Sequence, residues 1–360
     1  MDAPEARILF RVAAGGDPDQ TVPAWLPGSF SKDESNRLLE AAIREGLAGL
    51  LYHRLKASGR LDVLDAPARS RLESIYYLAL QTNLRFLSAL QEIARQDVPF
   101  VLMQGAALLL HAYPDPGLRP LSDLDLWVLP RHWERLSSAL SRLGFDEDRL
   151  TPGVFSRGAI RVDVHKHLDW AERIRASRFL FAADADEIYR RCRPLSVEGV
   201  PVLCLDSFDE VAYLMVHAIK HNLERLIWLA DIQRLVAPWQ GPEWEAWRER
   251  ARQLGQEGIA PALGYLRREL FGMQTPAPAA AGPRLTALGR YLLRMRKKGP
   301  LPKWSSLELL SAGSRLRQLE FVFESMFPRP EILRQVFADR AGLNAWQLYS
   351  LRIRQLLSML

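Results

Sequence analysis

Residues 122–129 read Ser-Asp-Leu-Asp-Leu-Trp-Val-Leu, an apolar run that carries two carboxylates two positions apart. Side chains alternate across a strand, so Asp123 and Asp125 leave one face while Leu124 and Leu126 leave the other. Neighbouring carboxylates repel each other, and burial raises the pKa of at least one of them. A strand shaped by stability alone would not carry this pair. A hard divalent cation reverses the argument, because Mg2+ takes oxygen ligands and neutralises both acids. On its own the D-x-D spacing is common on surface strands, so the reading depends on what else the chain brings to that face.

A third acid lies downstream. In Arg161-Val162-Asp163-Val164-His165 the alternation sets Arg161, Asp163, His165 and, further on, His167 on one face and the valines on the other. Phe155 to Arg157, a turn at Gly158 and the alternating Ala159 to His167 form an expected hairpin. If the Asp163 arm pairs beside the Asp123 strand, three carboxylates converge. Such a set can hold two magnesium ions for in-line phosphoryl transfer. Upstream, the apolar run Pro99–Met103 reads as a strand and Ala106 to Tyr113 as a helix, with Gly105 at the junction. Free backbone N–H groups and the positive end of a helix dipole suit a phosphate there, and glycine permits close approach. Arg119, four residues before Asp123, is placed to meet phosphate oxygens.

Around this segment the chain reads as helical. Ser31 and Glu34 have the spacing of a capping box, and apolar residues then recur three and four apart until Gly59. The pattern resumes from Ala66 to Gln96 through Leu72, Tyr76, Leu80, Leu84, Leu87 and Leu90, and returns at Arg131 to Gly144 and from Asp206 onward. Thr275 to Pro283 has the composition of a linker, and further helices are expected at Leu285–Lys297 and Ala345–Leu360. At about 150 residues per domain, 360 residues suggest two or three units. The expected division is an N-terminal helical region (1–97), an α+β core (98–205) and a C-terminal helical region (206–360).

Composition narrows the function classes. With 48% hydrophobic and 25% charged residues the chain is globular, not a disordered tail or a coiled coil. A net charge of +6 permits an anionic substrate without demanding nucleic acid. Cys192 and Cys204 form no disulfide framework and no CxxC zinc pair. No apolar run reaches the roughly 18 residues of a membrane span. The first residues, with Asp2 and Glu5, lack the pattern of a secretory signal, so the cytoplasm is the expected location.

Five segments carry a resemblance: Gln104-Gly105-Ala106; Arg119-Pro-Leu-Ser122-Asp-Leu-Asp-Leu; Val-Asp163-Val-His165; His217-x-x-Lys220-His221; and Leu226-Ile-Trp228-Leu-Ala-Asp231-Ile. Over roughly residues 85 to 240 the chain resembles the nucleotidyltransferases of the DNA polymerase β superfamily, and more narrowly their bacterial uncharacterised nucleotidyltransferase family. The resemblance implies a short mixed sheet flanked by helices, and a cofactor, Mg2+ or Mn2+. By it, Asp123 and Asp125 bind both metals, and Asp163 is the third ligand and the group that deprotonates the acceptor. Gln104, Gly105, Ala106, Arg119, Ser122, His165, His217, Lys220 and His221 would bind the nucleotide. The implied reaction moves a nucleoside monophosphate from a nucleoside triphosphate such as ATP to a hydroxyl of an unidentified acceptor. A small molecule, peptide or protein is favoured over RNA as that acceptor. Two positions depart from the pattern: Ala106 replaces the usual second Gly or Ser of the phosphate turn, and Gln104 stands where the narrower family often has lysine.

Alternatives stay open at several residues. His217, Lys220 and His221 share one helix face, suited either to a nucleotide cleft or to surface pairing with acids such as Asp231. Trp228 reads as core before base-stacking platform, and Asp231 as an ion-pair partner of Lys220 or Arg225. His165 and His167, with Asp163, His217 and His221, could form a transition-metal site. The basic stretch Arg294, Arg296, Lys297, Lys298, Lys303 and Trp304 is either a solvated helix end or a contact surface. As a whole, the alternatives to a transferase are a nucleotide-binding module with weakened catalysis and a metal-dependent phosphohydrolase.

Overall fold

The computed structural model describes residues 4–15, 26, 28–168, 184–276, 284–302, 305–310, 315–337 and 342–357. Seven strands form one mixed sheet: β1 (Val101–Met103), β2 (Leu124–Trp127), β3 (Asp146–Glu147), β4 (Val154–Arg157), β5 (Ile160–His165), β6 (Arg193–Val197) and β7 (Val200–Cys204), in the order β3-β4-β5-β2-β1-β7-β6. The β2–β5 and β1–β7 pairs are parallel, and the remaining pairs are antiparallel. Helices cover the sheet, giving the expected α+β arrangement of a mixed sheet flanked by helices.

Strand alternation divides β2 between two cores. Leu124, Leu126 and Val128 join Val162 and Val164 of β5 in a cluster closed by Phe86, Ala89, Leu90 and Ile93 of the helix Ala66–Ala94 and by Leu136, Ala139 and Leu140 of the helix Trp133–Arg142. Trp127 and Leu129 point the other way, into a larger cluster with Val211, Leu214 and Met215 of the helix Ser207–Lys220. Asp125, Asp163 and His165 therefore lie on the sheet face that looks toward this second helix.

The larger cluster runs from Ile8 to Leu310, so packing crosses both expected boundaries near residues 97 and 205. Glu45 shows this at atomic scale. Its Oε2 accepts from the backbone N–H of Leu226 at 2.9 Å and from Arg296 Nη2 at 2.7 Å. Arg296 is thus fully buried, and Lys297 pairs with Glu269 at 2.9 Å, so these two members of the basic stretch are tied internally. Lys303 and Trp304 lie outside the described residues, as does most of the expected linker, from 277 to 283.

Local signals account for the element ends. Ser31 and Glu34 form the expected capping box, and Gly46, at φ 74°, ends that helix in the left-handed conformation. Asp65 accepts from Ala68 N–H to start the 29-residue helix Ala66–Ala94. Leu84 of that helix, expected on its apolar stripe, is 50% exposed, because the sheet engages only the stripe through Phe86, Leu90 and Ile93. The β6–β7 hairpin, turning at Glu198-Gly199, has no counterpart among the expected elements.

Candidate active site

Asp125 and Asp163 are directly opposed in the parallel β2–β5 register, with side chains on the same face. Two residues further along β5, His165 presents Nε2 at 3.1 Å from Asp125 Oδ1 and 3.8 Å from Asp163 Oδ1. Asp125, Asp163 and His165 each offer a ligand atom within 4.8 Å of the others. Asp123 precedes β2, faces the same cavity and accepts from Ser122 Oγ at 3.0 Å, but lies outside that triad. His167 lies past the end of β5 and is exposed, outside the triad and the cavity lining.

Electrostatics at the triad are unfavourable without a cation. Burial pushes the Asp125 carboxyl up to about 6, with repulsion from Asp123 and Asp163 adding to it and the His165 hydrogen bond opposing it. A buried carboxylate between two others, with one imidazole as counterweight, fits a divalent metal. The donors are oxygens and one imidazole nitrogen.

These residues form one side of a cavity of about 360 Å³. Across it stand His217, Lys220 and His221 of the helix Ser207–Lys220 and its C-cap, followed by Arg225, Ile227 and Trp228. Rings of His217, His221 and Trp228 lie 4.6 to 5.6 Å apart. Trp228 thus both packs on the core and lines the cavity. Burial, then the charges of His221 and Lys220, hold the His217 imidazole well below its usual pKa, and burial and Lys220 lower His221. Burial thus favours the uncharged form of both rings.

Gln104, Gly105, Arg119 and Ser122 also line the cavity, whereas Ala106 is buried and packs its methyl into the sheet's other core. A serine hydroxyl at position 106 would point the same way. Gln104 adopts φ 51°, unusual for a residue with a side chain, and its side chain hydrogen-bonds the Tyr213 hydroxyl. Gly105 has a reason that the sequence did not reveal: a Cβ there would overlap Arg119 Nη1 and press on Leu121.

Arg119 lines the cavity with its guanidinium already held by an acid. Its guanidinium is committed to Asp231, with Nη2–Oδ2 at 2.9 Å and Nε contacts at 3.2 and 3.3 Å, and Tyr113 donates to the same carboxylate at 2.6 Å. Asp231 is therefore the buried partner of Arg119 and Tyr113, and its charge also acts on Arg225. Asn83, in the helix Ala66–Ala94, fixes the loop leading to Asp123. Its Nδ2 donates to the carbonyls of Pro116 and Arg119, and its Oδ1 accepts from Leu121 N–H. Thr151, Pro152 and Arg225 complete the lining without having been expected there.

The mixed sheet, with its opposed aspartates beneath a basic and aromatic wall, defines a nucleotidyltransferase-type core. The chain belongs to a family described as uncharacterised nucleotidyltransferase, whose model matches residues 31–272. No curated protein and no solved structure matches it. Family membership makes it a transferase of nucleotidyl groups. Among the described residues, no helix is long and apolar enough to cross a membrane.

Proposed function

We propose that this protein moves a nucleoside monophosphate from a nucleoside triphosphate to an acceptor hydroxyl and releases pyrophosphate, with divalent cations held by Asp123, Asp125 and Asp163. The opposition of Asp125 and Asp163 across the β2–β5 register carries this reading. Bound there, the cations would supply charge neutralisation on the triphosphate and activation of the attacking hydroxyl. Asp163, whose side chain is 31% exposed toward the cavity, accepts the acceptor's proton. The acceptor oxygen bonds to the α-phosphorus as the bond to the bridging β-phosphate oxygen breaks.

Lys220 and Arg225 stand across the cavity from the carboxylates and offset the charge of the departing pyrophosphate. Backbone N–H groups at the start of the helix Gln104–His111 add the positive end of a helix dipole. The neutral rings of His217 and His221, with Trp228, offer the base a stacking surface. Ser122 fixes the Asp123 carboxylate. Arg119 acts on the site indirectly, by packing against Gly105 and anchoring to Asp231.

Incubation of the protein with α-labelled nucleotides and cell extract tests the reading. Label should pass to an acceptor with the wild-type chain and not with Asp123→Ala; transfer that survives the substitution would remove the proposal.

A further inference from the structure

The three carboxylates account for an oxygen-only site, and His165 is the feature they leave unexplained. Its Nε2 sits beside Asp125 Oδ1 and within 3.8 Å of Asp163 Oδ1, held there by the same strand that positions Asp163. Ligand atoms about 2.1 Å from a metal and adjacent in an octahedral or tetrahedral shell lie about 3 to 3.5 Å apart. The 3.1 Å spacing of His165 Nε2 and Asp125 Oδ1 falls in that range, and all three donors fall within 4.8 Å. Asp123, by contrast, is engaged by Ser122 and stands outside the triad. The triad therefore outlines one compact position, Asp125–Asp163–His165, separate from a second position that Asp123 would share with Asp125.

We infer that His165 is a direct ligand of the cation held by Asp125 and Asp163, and that this nitrogen makes the position select Mn2+ or a similar transition ion over Mg2+. Mg2+ prefers a shell of oxygens and gives up its waters reluctantly, whereas imidazole favours transition ions. For His165 Nε2 to serve as a ligand, the proton it shares with Asp125 Oδ1 would pass to solvent and the ring would keep its other proton on Nδ1, leaving the Nε2 lone pair for a cation. Strand geometry keeps the ring aimed at the site: Trp127 is the register partner of His165, and the His165 carbonyl accepts from Val128 N–H at 2.9 Å. This inference rests on the proposed metal-dependent reading of the site, and its failure is separable from the failure of that reading.

Pulsed electron paramagnetic resonance on the full chain loaded with Mn2+ reads the ligand directly, without any turnover. The expected spectrum contains the modulation of a directly coordinated 14N nucleus. Growth with 15N-histidine should convert it to the 15N pattern, and His165→Gln should remove it. Calorimetric titration should show Mn2+ binding more tightly than Mg2+ in the wild-type chain. The Gln variant should lose roughly ten- to a hundredfold in Mn2+ affinity and little in Mg2+ affinity. Because the wild-type spectrum needs no substitution, a variant that failed to fold would leave the measurement intact. Bound Mn2+ without nitrogen modulation, or a nitrogen signal that persists in folded His165→Gln, overturns the inference while leaving a carboxylate-held cation. Absence of any Mn2+ or Mg2+ binding that Asp125→Asn abolishes would overturn the inference and the reading beneath it.

Discussion

Asp125→Asn should make the metal-free protein more stable while disabling it. The Asp125 carboxyl is raised from its usual 3.8 to about 6, chiefly by burial. At about 1.4 kcal/mol per pH unit, an ionised Asp125 opposes folding by about 3 kcal/mol at neutral pH. The folded chain binds this proton more tightly than the unfolded chain. Stability therefore falls as pH rises from about 4 to about 6, and the full penalty is present above that window. Asparagine has nearly the same shape, keeps an oxygen for His165 and carries no charge. With an unfolding entropy of about 2.1 cal/mol/K per residue, the gain amounts to a Tm increase of about 4 °C for a chain this long. Thermal unfolding in chelator at pH 7.5 should show that increase, shrinking to about 1 kcal/mol in stability at pH 4.5. Added Mn2+ should raise the wild-type Tm and leave the variant nearly unmoved. A variant less stable than wild type at pH 7.5, or a gap that does not change with pH, would show that the Asp125 charge does not oppose folding.

Other substitutions follow from the same contacts. Arg119→Met strands Asp231 in the core and should cost about 3 to 5 kcal/mol in urea unfolding, with much of it recovered in Arg119→Met/Asp231→Leu; a cost under about 1 kcal/mol would contradict the buried pair. Gly105→Ala should cost about 1 to 3 kcal/mol through its clash with Arg119, and that loss should shrink when Arg119 is also Met. Asn83→Leu removes partners from two carbonyls and one N–H, so its urea midpoint should fall by the equivalent of about 2 to 4 kcal/mol, and an unchanged midpoint would show that the loop holds itself. Lys220→Met and Arg225→Met should each raise the nucleotide KM roughly ten- to a hundredfold; unaltered kinetics would remove them from the phosphate site.

The acidic strands were legible because a period of two is a local signal: β2 and the β4–β5 hairpin follow from alternation and the Gly158 turn. The pairing of Asp125 with Asp163 was reachable only as an expectation, since parallel strands are joined through distant chain. The β6–β7 hairpin carried a turn signal at Glu198-Gly199, but Pro194 and Pro201 interrupt the runs and argue against strands. Its edge position explains why Pro194 is tolerated. At the site, Lys220 and the two histidines were singled out by the family resemblance and put on one face by helical spacing, whereas the Arg119–Asp231 pair joins residues 112 apart and had no local mark. The sequence made Gly105 a phosphate contact; packing against Arg119 gives it a second reason that only coordinates reveal. Arg225 was visible as a charge, but its place on the cavity depends on where the following helix begins.

Parallel reactions with α-labelled and γ-labelled nucleotide, divalent cation and an acceptor-containing extract decide whether this protein transfers a nucleotidyl group. The α-label should be fixed to the acceptor and the γ-label recovered in pyrophosphate, both lost with Asp125→Asn. Label from the γ position released as inorganic phosphate, or transferred to the acceptor, would contradict it.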